Sequence, residues 1–532
     1  MSCLAAGELR PGLRPQRSQD PHSCDCTAGA SSLQLTIGKL TSEVLAYSSM
    51  EPFMTEIATP EGHNNYFARL ILTEPVATAA ANAAISGEPD ASTDSAGVGV
   101  ADHSSQSRLG GTWPSPHKRL IFVLVLIALC MTHSAPQSWN DLSRMGTLQA
   151  LVESGSFVID KTEFAGTGDK VFIGGHFYSD KPPVPSVLGA AVYFPLHHLG
   201  FRLINGPTFA YYLITLLTVT LFWLFGTLAF FHSLSFTGLD PERRLLASLA
   251  LGFGSLYFTW SQTLNSHGMA AGSLAIGFYF LLRARYEGHV NRNLAVAGLF
   301  LSLAATADMP TGIYYAAFGL YIARDPLLRR AAIFYVAPLL ATLVPSLAID
   351  YSIHHSVLPV QIFRTYFQYA GSPWVGSGQL SGTHANDLDF FRTYAVRSLV
   401  GPRGFLLYNP LLVIAIWGIG RTIWRKGPFF YEAVTIAAAS TVMLLYYWTY
   451  TNNYGGWSYS IRWFVPMLPL LFFFLCPYFE AFDPRRRRWF QALLCASVVI
   501  AAVGAANPWS PVGDTDVPLI VNSKIFLTNL GW

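Results

Sequence analysis

Apolar runs of roughly 16 to 25 residues alternate with short polar connectors along most of the chain, and a helix needs about 20 apolar residues to cross a bilayer. The runs fall near 119–134, 208–232, 244–262, 267–284, 293–308, 311–324, 331–350, 404–423, 430–450, 463–481 and 488–507. They predict about eleven transmembrane helices and an all-α, polytopic membrane fold. One further run, from Pro182 to about Leu199, holds four prolines and the pair His197-His198. It reads as a juxtamembrane helix that begins and ends on one face, because counting it as a span would scatter the basic connectors over both sides of the membrane.

Those connectors set the orientation. Lys118-Arg119, Arg243-Arg244, Arg283, Arg285 and Arg292, Arg324, Arg329 and Arg330, Arg421, Arg425 and Lys426, and Arg485 to Arg488 fall on one side, which the positive-inside rule makes cytoplasmic. The N-terminus then lies inside and the C-terminus outside. Two long segments, 135–207 and 351–403, lie on the non-cytoplasmic face, where loops on a helical scaffold carry chemistry.

Composition agrees with a lipid-embedded chain: 52% of residues are hydrophobic and 12% charged, too apolar and charge-poor for an ordinary soluble enzyme. The net charge of +3 comes from arginines in connectors rather than in one stripe, which leaves no electrostatic footprint for nucleic acid. The six cysteines, Cys3, Cys24, Cys26, Cys130, Cys476 and Cys495, form no C-x-x-C pair and support neither a zinc site nor thiol redox chemistry. Residues 1–117 are rich in Ala, Ser, Gly, Thr and Pro and cannot offset chain entropy by burial. They read as a disordered cytoplasmic tail or as translated sequence upstream of another start. Without the basic flank and apolar core of a secretory signal, the first span serves as signal anchor.

The candidate chemistry gathers at the outer ends of the spans. Trp139-Asn140-Asp141-Leu142-Ser143-Arg144 opens the first outer segment, and a carboxylate at the mouth of an apolar bundle can act as a general base. As a structural element, Asn140 or Asp141 can instead cap an amphipathic helix through Leu151. The same segment ends in Gly174-Gly175-His176-Phe177-Tyr178-Ser179-Asp180-Lys181-Pro182-Pro183. There Lys181 can meet a lipid phosphate, and Asp180 and His176 can bind sugar hydroxyls or a divalent cation; alternatively Asp180 and Lys181 form an interfacial ion pair and His176 is a turn residue. Asn265-Ser266-His267 and Asp308 sit at outer helix ends, where polar groups also serve as caps. Arg403, before Tyr408-Asn409-Pro410, and Arg462, after Gly455-Gly456-Trp457, oppose the charge bias of the chain. Guanidinium groups suit a departing phosphate, although arginines near helix ends also snorkel to headgroups.

Taken in this order, these residues resemble the GT-C superfamily of membrane glycosyltransferases, which includes dolichyl-phosphate-mannose protein mannosyltransferases, bacterial aminoarabinose lipid A transferases and rhizobial galacturonosyltransferases. The resemblance covers residues 118–510 and leaves 511–532 as an outer C-terminal tail. It rests most on Asp141 with Arg144 and on Tyr178-Ser179-Asp180-Lys181-Pro182-Pro183, with support from Ser266-His267, Arg403-Gly404, Tyr408-Asn409-Pro410, and Gly455-Gly456-Trp457 with Arg462 and Pro466. It is to a bacterial branch. It implies an inverting transfer, on the periplasmic face of the inner membrane, from a polyprenyl-phosphate sugar to a glycan, lipid or protein acceptor. Asp141 is then the general base, Lys181, Arg403 and Arg462 bind the donor phosphate, and Arg144, His176, Tyr178, Asp180, His267, Tyr408 and Trp457 bind sugar or acceptor. Many relatives carry adjacent acidic residues where this chain has Asp141-Leu142, so a role needing two neighbouring carboxylates, such as metal coordination, loses support. A flippase for lipid-linked saccharides is the alternative; it predicts ionisable residues at span midpoints and paired broken helices, whereas the midpoints here are nearly free of charge.

Overall fold

With no water to bond in hydrocarbon, backbone groups there are satisfied only by one another, and the apolar runs accordingly fold as helices. The computed structural model describes residues 115–375, 387–451, 453–513 and 515–529; the tail expected over 1–117 lies outside the described residues as far as 114. In chain order the elements are α1 (Pro116–Met131), α2 (Trp139–Ser154), β1 (Lys170–Ile173), β2 (His176–Ser179), α3 (Pro183–His198), α4 (Phe209–Thr237), α5 (Pro241–Gly252), α6 (Ser266–Tyr286), α7 (Val290–Ala307), α8 (Gly312–Arg324), α9 (Ala332–His354), α10 (Leu388–Val400), α11 (Leu412–Trp424), α12 (Phe430–Tyr450), α13 (Arg462–Phe479), α14 (Pro484–Ala506) and α15 (Pro518–Asn529).

Among the described residues six helices, α4, α7, α9, α12, α13 and α14, are long and apolar enough to cross a membrane. The other five expected spans differ in instructive ways. α1, at 16 residues, reaches about 24 Å at ~1.5 Å per residue, short of the ~30 Å hydrocarbon layer. α6 has 21 residues but is walled in by protein from Ser266 to Leu282, so small and polar residues replace the usual aliphatic ones. α8 and α11 have 13 residues each, and residues 404–411, expected as the first turns of a span, are irregular around Gly404 and Pro410. The run at 244–262 is not one helix: α5 ends at Gly252, a single turn follows at Leu256–Thr259, and the chain stays irregular until Asn265 caps α6 by accepting from the Gly268 N–H at 2.8 Å. Side chains satisfy the break, Trp223 Nε1 donating to the Gly252 carbonyl (2.9 Å) and Asn409 Oδ1 accepting from the Leu256 N–H (2.8 Å).

The all-α expectation is corrected in the first outer segment, where β1 and β2 form an antiparallel hairpin with Val171 opposite Tyr178 and Ile173 opposite His176. Its two-residue loop is Gly174-Gly175, both at positive φ (59° and 90°), as the tight turn that matches strand twist requires. The juxtamembrane helix expected from Pro182 is α3, and α2 packs against it.

α6 is the axis of the bundle, flanked by α4 and α7, with α9 against α7. The crossings depend on missing side chains: a Cβ at Gly272 in α6 would strike the Phe222 carbonyl of α4, and one at Gly298 in α7 the Tyr335 carbonyl of α9. Helices in lipid gain little from burying apolar surface, so such close approach is what holds them together. We expect Gly298→Leu to lower the thermal midpoint of the detergent-purified protein, at an overpacking cost of about 3 kcal/mol or more. Gly420→Ala in α11, where nothing lies within 4 Å, leaves the midpoint unchanged or raises it; equal behaviour of the two variants in a melting experiment would contradict the packing argument.

Candidate active site

The N-terminus of α2 builds the centre of the site. Ser138 is its N-cap, its hydroxyl accepting from the Asp141 N–H at 3.3 Å, while Asp141 Oδ2 accepts from the Gln137 N–H at 2.9 Å. The cap expected at Asn140 or Asp141 is therefore Ser138, and Asp141 holds the third helical position, where a carboxylate also gains from the helix dipole. Its side chain is fully buried. Thr263, on the irregular strand before α6, reaches Oδ2 at 3.4 Å, and Oδ1 has no hydrogen-bond partner among the described residues. Burial pushes the Asp141 carboxyl up to about 7, against the lowering pull of the Gln137 N–H, the Arg144 charge, Ser138 and the Arg462 charge.

One turn along α2, Arg144 lies buried with its guanidinium bonded to Asn140 and, at 3.1 Å, to the Ser266 hydroxyl at the head of α6. Ser143 beside it meets the Ser179 hydroxyl at 2.6 Å and donates to Asp180 Oδ1 at 3.3 Å. The end of β2 is thereby drawn onto α2. Lys181 sits between two carboxylates, 2.8 Å from Asp169 Oδ2 and 2.9 Å from Asp180 Oδ2. Burial raises the Asp180 carboxyl, Lys181 opposes that rise and Asp169 adds to it. Gln361 and Trp374 from the second outer segment bond the carbonyls of Asp180 and Gly168, strapping the triplet in place. Tyr178, Ser179 and Lys181 line a narrow cleft of about 20 Å³ whose far wall is Ile349, Asp350 and Ile353 of α9.

Arg462, at the start of α13, lies 4.7 Å from the Trp509 ring centre and 6.0 Å from that of Trp260. Trp509 Nε1 donates to Thr263 Oγ1 at 3.2 Å, so Thr263 and Trp509 bridge Asp141 to Arg462. The Arg462 side chain has no hydrogen bond or ion pair to any described residue, and its Nε is buried without a partner. His267 Nδ1 lies 2.6 Å from Asp308 Oδ2, both side chains buried.

The structure thus gathers Asp141, Arg144, Asp180, Lys181, His267 and Arg462 around the N-terminal ends of α2, α6 and α13. Other expected site residues fall elsewhere. Arg403 is buried and spends its guanidinium on the carbonyls of Gly456, Val512 and Gly513, and its own carbonyl accepts from Ser460; it braces the turn that presents Arg462 instead of facing a phosphate. Tyr408 is buried, donating to the Pro402 carbonyl and accepting from the Leu519 N–H of α15. His176 pairs with Asp160 at 2.8 Å on the exposed hairpin tip, and Trp457 is 64% exposed. The divalent-cation option at Asp180 with His176 is not formed, since each is paired with a different neighbour; among the described residues no group of three or more His, Cys, Asp or Glu side chains is placed to hold a metal. Asp169, Thr263 and Trp509 were not legible as site residues. Asp169 follows Gly166-Thr167-Gly168, the composition of any turn, and Thr263 lay in the short connector between the runs expected at 244–262 and 267–284.

No protein-family model matches the chain, and no curated protein matches it. Solved structures similar to it include ArnT from Cupriavidus metallidurans bound to undecaprenyl phosphate (14% identity, TM-score 0.46, covering 78% of this chain and 68% of that one) and its apo state (14%, 0.47, 76% and 66%). Another is the oligosaccharyltransferase AglB from Archaeoglobus fulgidus with an inhibitory peptide and dolichol-phosphate (12%, 0.45, 74% and 56%). Identity is low throughout. The chain spans about two thirds of the length of ArnT and little more than half of that of AglB.

A carboxyl held near 7 when folded and near 3.8 when unfolded binds its proton more tightly in the folded state, so its contribution to stability is complete below about 4 and lost as pH rises through about 7. Asp141→Asn carries no such penalty. We expect the variant to melt at a higher temperature than the parent at pH 8, the gap to narrow as pH falls below about 7 and to close only near pH 4; a gap that widens on acidification would contradict this electrostatic assignment.

Proposed function

We propose that the chain is a GT-C type glycosyltransferase that moves a hexosyl or pentosyl group from a polyprenyl-phosphate donor to a hydroxyl of an envelope glycan, lipid or protein, on the non-cytoplasmic face of a bacterial inner membrane. The observation that carries this reading is Asp141: a fully buried carboxyl with one oxygen fixed by the α2 cap and Thr263 and the other unbonded. A general base needs one oxygen left open to the proton it takes.

The acceptor oxygen attacks the anomeric carbon and forms the new C–O bond as the bond from that carbon to the phosphate oxygen breaks. The acceptor proton passes to Asp141 Oδ1, and the electron pair of the broken bond stays on polyprenyl phosphate, which leaves from the opposite face of the sugar. That leaving group is already acidic and needs a cation more than a proton donor. Arg462 is the cation the site leaves open, unbonded and held over Trp509. Lys181 is the second; its ammonium has three donors, two of which go to Asp169 and Asp180. Arg144 and Arg403 position rather than contact: one anchors α2 to the head of α6, the other holds the Gly456–Ser460 turn. His267 and Tyr178 remain for sugar or acceptor hydroxyls.

Transfer measured in proteoliposomes supplied with polyprenyl-phosphate sugars is expected to fall about 10²–10⁴-fold in Asp141→Asn, with insertion and abundance unchanged. In the parent the rate should climb with pH and level off above about 7, because only the ionised carboxyl accepts a proton. Comparing envelope glycans of a deletion strain complemented with either form identifies sugar and acceptor. Parental transfer by a normally inserted Asp141→Asn protein would remove the base, and unchanged transfer in Arg462→Gln would remove the phosphate contact.

A further inference from the structure

About 30 Å along α6 from His267, at ~1.5 Å per residue over its 21 residues, the ends of three helices meet around a second cavity. It encloses about 560 Å³ between Arg285 and Tyr286 at the end of α6, Tyr321 and Arg324 at the end of α8, and the connector and first turn of α12 from Lys426 to Glu432. The transfer chemistry uses none of these residues.

Charges in this cavity are unequally committed. Asp325 pairs with Arg285 at 3.0 Å and caps the turn at Leu327 and Leu328. Glu432 is buried and accepts the hydroxyls of Tyr286 (2.8 Å) and Tyr321 (2.7 Å). Asp325 is therefore ion-paired, while Glu432 is held through Oε1 by two hydroxyls and has no ion pair to a described residue. Arg324 and Lys426 are not ion-paired to a described residue either, the Arg324 guanidinium carbon standing 3.5 Å from the Tyr431 ring centre, so the cations of the lining outnumber its carboxylates by one. The connector that carries Lys426 holds two non-glycine residues at positive φ, Lys426 (47°) and Phe429 (65°), a backbone state that costs energy and persists where the surroundings enforce it. Tyr431 in the lining is 46% exposed, and Trp424 (88%), two residues before Lys426, and Leu320 (74%), one helical turn before Arg324, are exposed next to it along the chain. Aromatic rings of this kind mark headgroup depth.

We infer that this cavity binds the phosphate of an anionic membrane lipid, with Arg324 and Lys426 on the phosphate oxygens and the acyl chains running beside Leu320 and Trp424. The two uncommitted cations supply the charge, the rings of Tyr286, Phe429 and Tyr431 supply the walls, and the flanking apolar surface selects a lipid over a soluble anion.

Native mass spectrometry of the detergent-purified full chain, titrated with phosphatidylglycerol, phosphatidylcholine or inorganic phosphate, tests this. Phosphatidylglycerol should bind more tightly than phosphatidylcholine. Arg324→Gln and Lys426→Gln should each weaken it about fivefold and the double variant about 25-fold, from about 1 kcal/mol per cation near a membrane surface. Lys426→Arg, which keeps the charge, should restore binding, and Arg425→Gln, outside the cavity lining, should change it little. Equal weakening by Arg425→Gln would reduce the effect to diffuse attraction and overturn the site, as would unaltered binding in the double variant. Inorganic phosphate competing as strongly as the lipid would overturn the lipid assignment. None of these readouts involves sugar transfer, so the proposal stands or falls apart from that reaction.

Discussion

A peptide group that leaves a helix inside an apolar bundle must find a protein partner, because lipid offers none. Much of this structure follows from where the chain accepts that obligation. Between Gly252 and Asn265 it abandons the helix, and Trp223, Asn409 and Asn265 side chains take over the freed backbone groups. The irregular strand so stabilised carries Trp260 and Thr263 to Asp141 and Arg462. A continuous span at 244–262 would satisfy its backbone more simply but would bring no polar side chain to that depth.

The same economy governs the charges. Asp141, Arg144, Lys181, Asp169 and Asp180 all sit where water is scarce, and a buried charge survives only with partners. Most are paired: Lys181 by two carboxylates, Arg144 by Asn140 and Ser266. Among the groups left without a partner are one oxygen of Asp141 and the Nε of Arg462, as well as the Nε of Arg144. Thr263 and Trp509 bridge Asp141 to the Arg462 cation, and the proposed transfer rests on that polarity.

Arg403 shows how residue type and role can part company. Its type and its place before an apolar run match a phosphate ligand, yet its guanidinium is consumed by the carbonyls of Gly456, Val512 and Gly513. Carbonyls at irregular turns within a membrane domain need strong donors, and arginine supplies several at once. Tyr408 follows the same pattern by holding the first turn of α15. The segment after 510, which reads as a tail, thus contributes a docked helix, and Trp509 just before it stacks under Arg462.

Hydrophobic periodicity, local along the chain, determined by itself the membrane-embedded helical character and the positions of α4, α7, α9, α12, α13 and α14. Only the tertiary structure decided that 244–262 breaks, that Gly174-Gly175 turns a hairpin, that Asp169 shares Lys181 with Asp180, and that Arg462 is free while Arg403 is not. Those outcomes turn on which backbone carbonyls and carboxylates lie within hydrogen-bond reach after packing. Partners separated by 246 residues, as Thr263 and Trp509 are, leave no trace in local pattern.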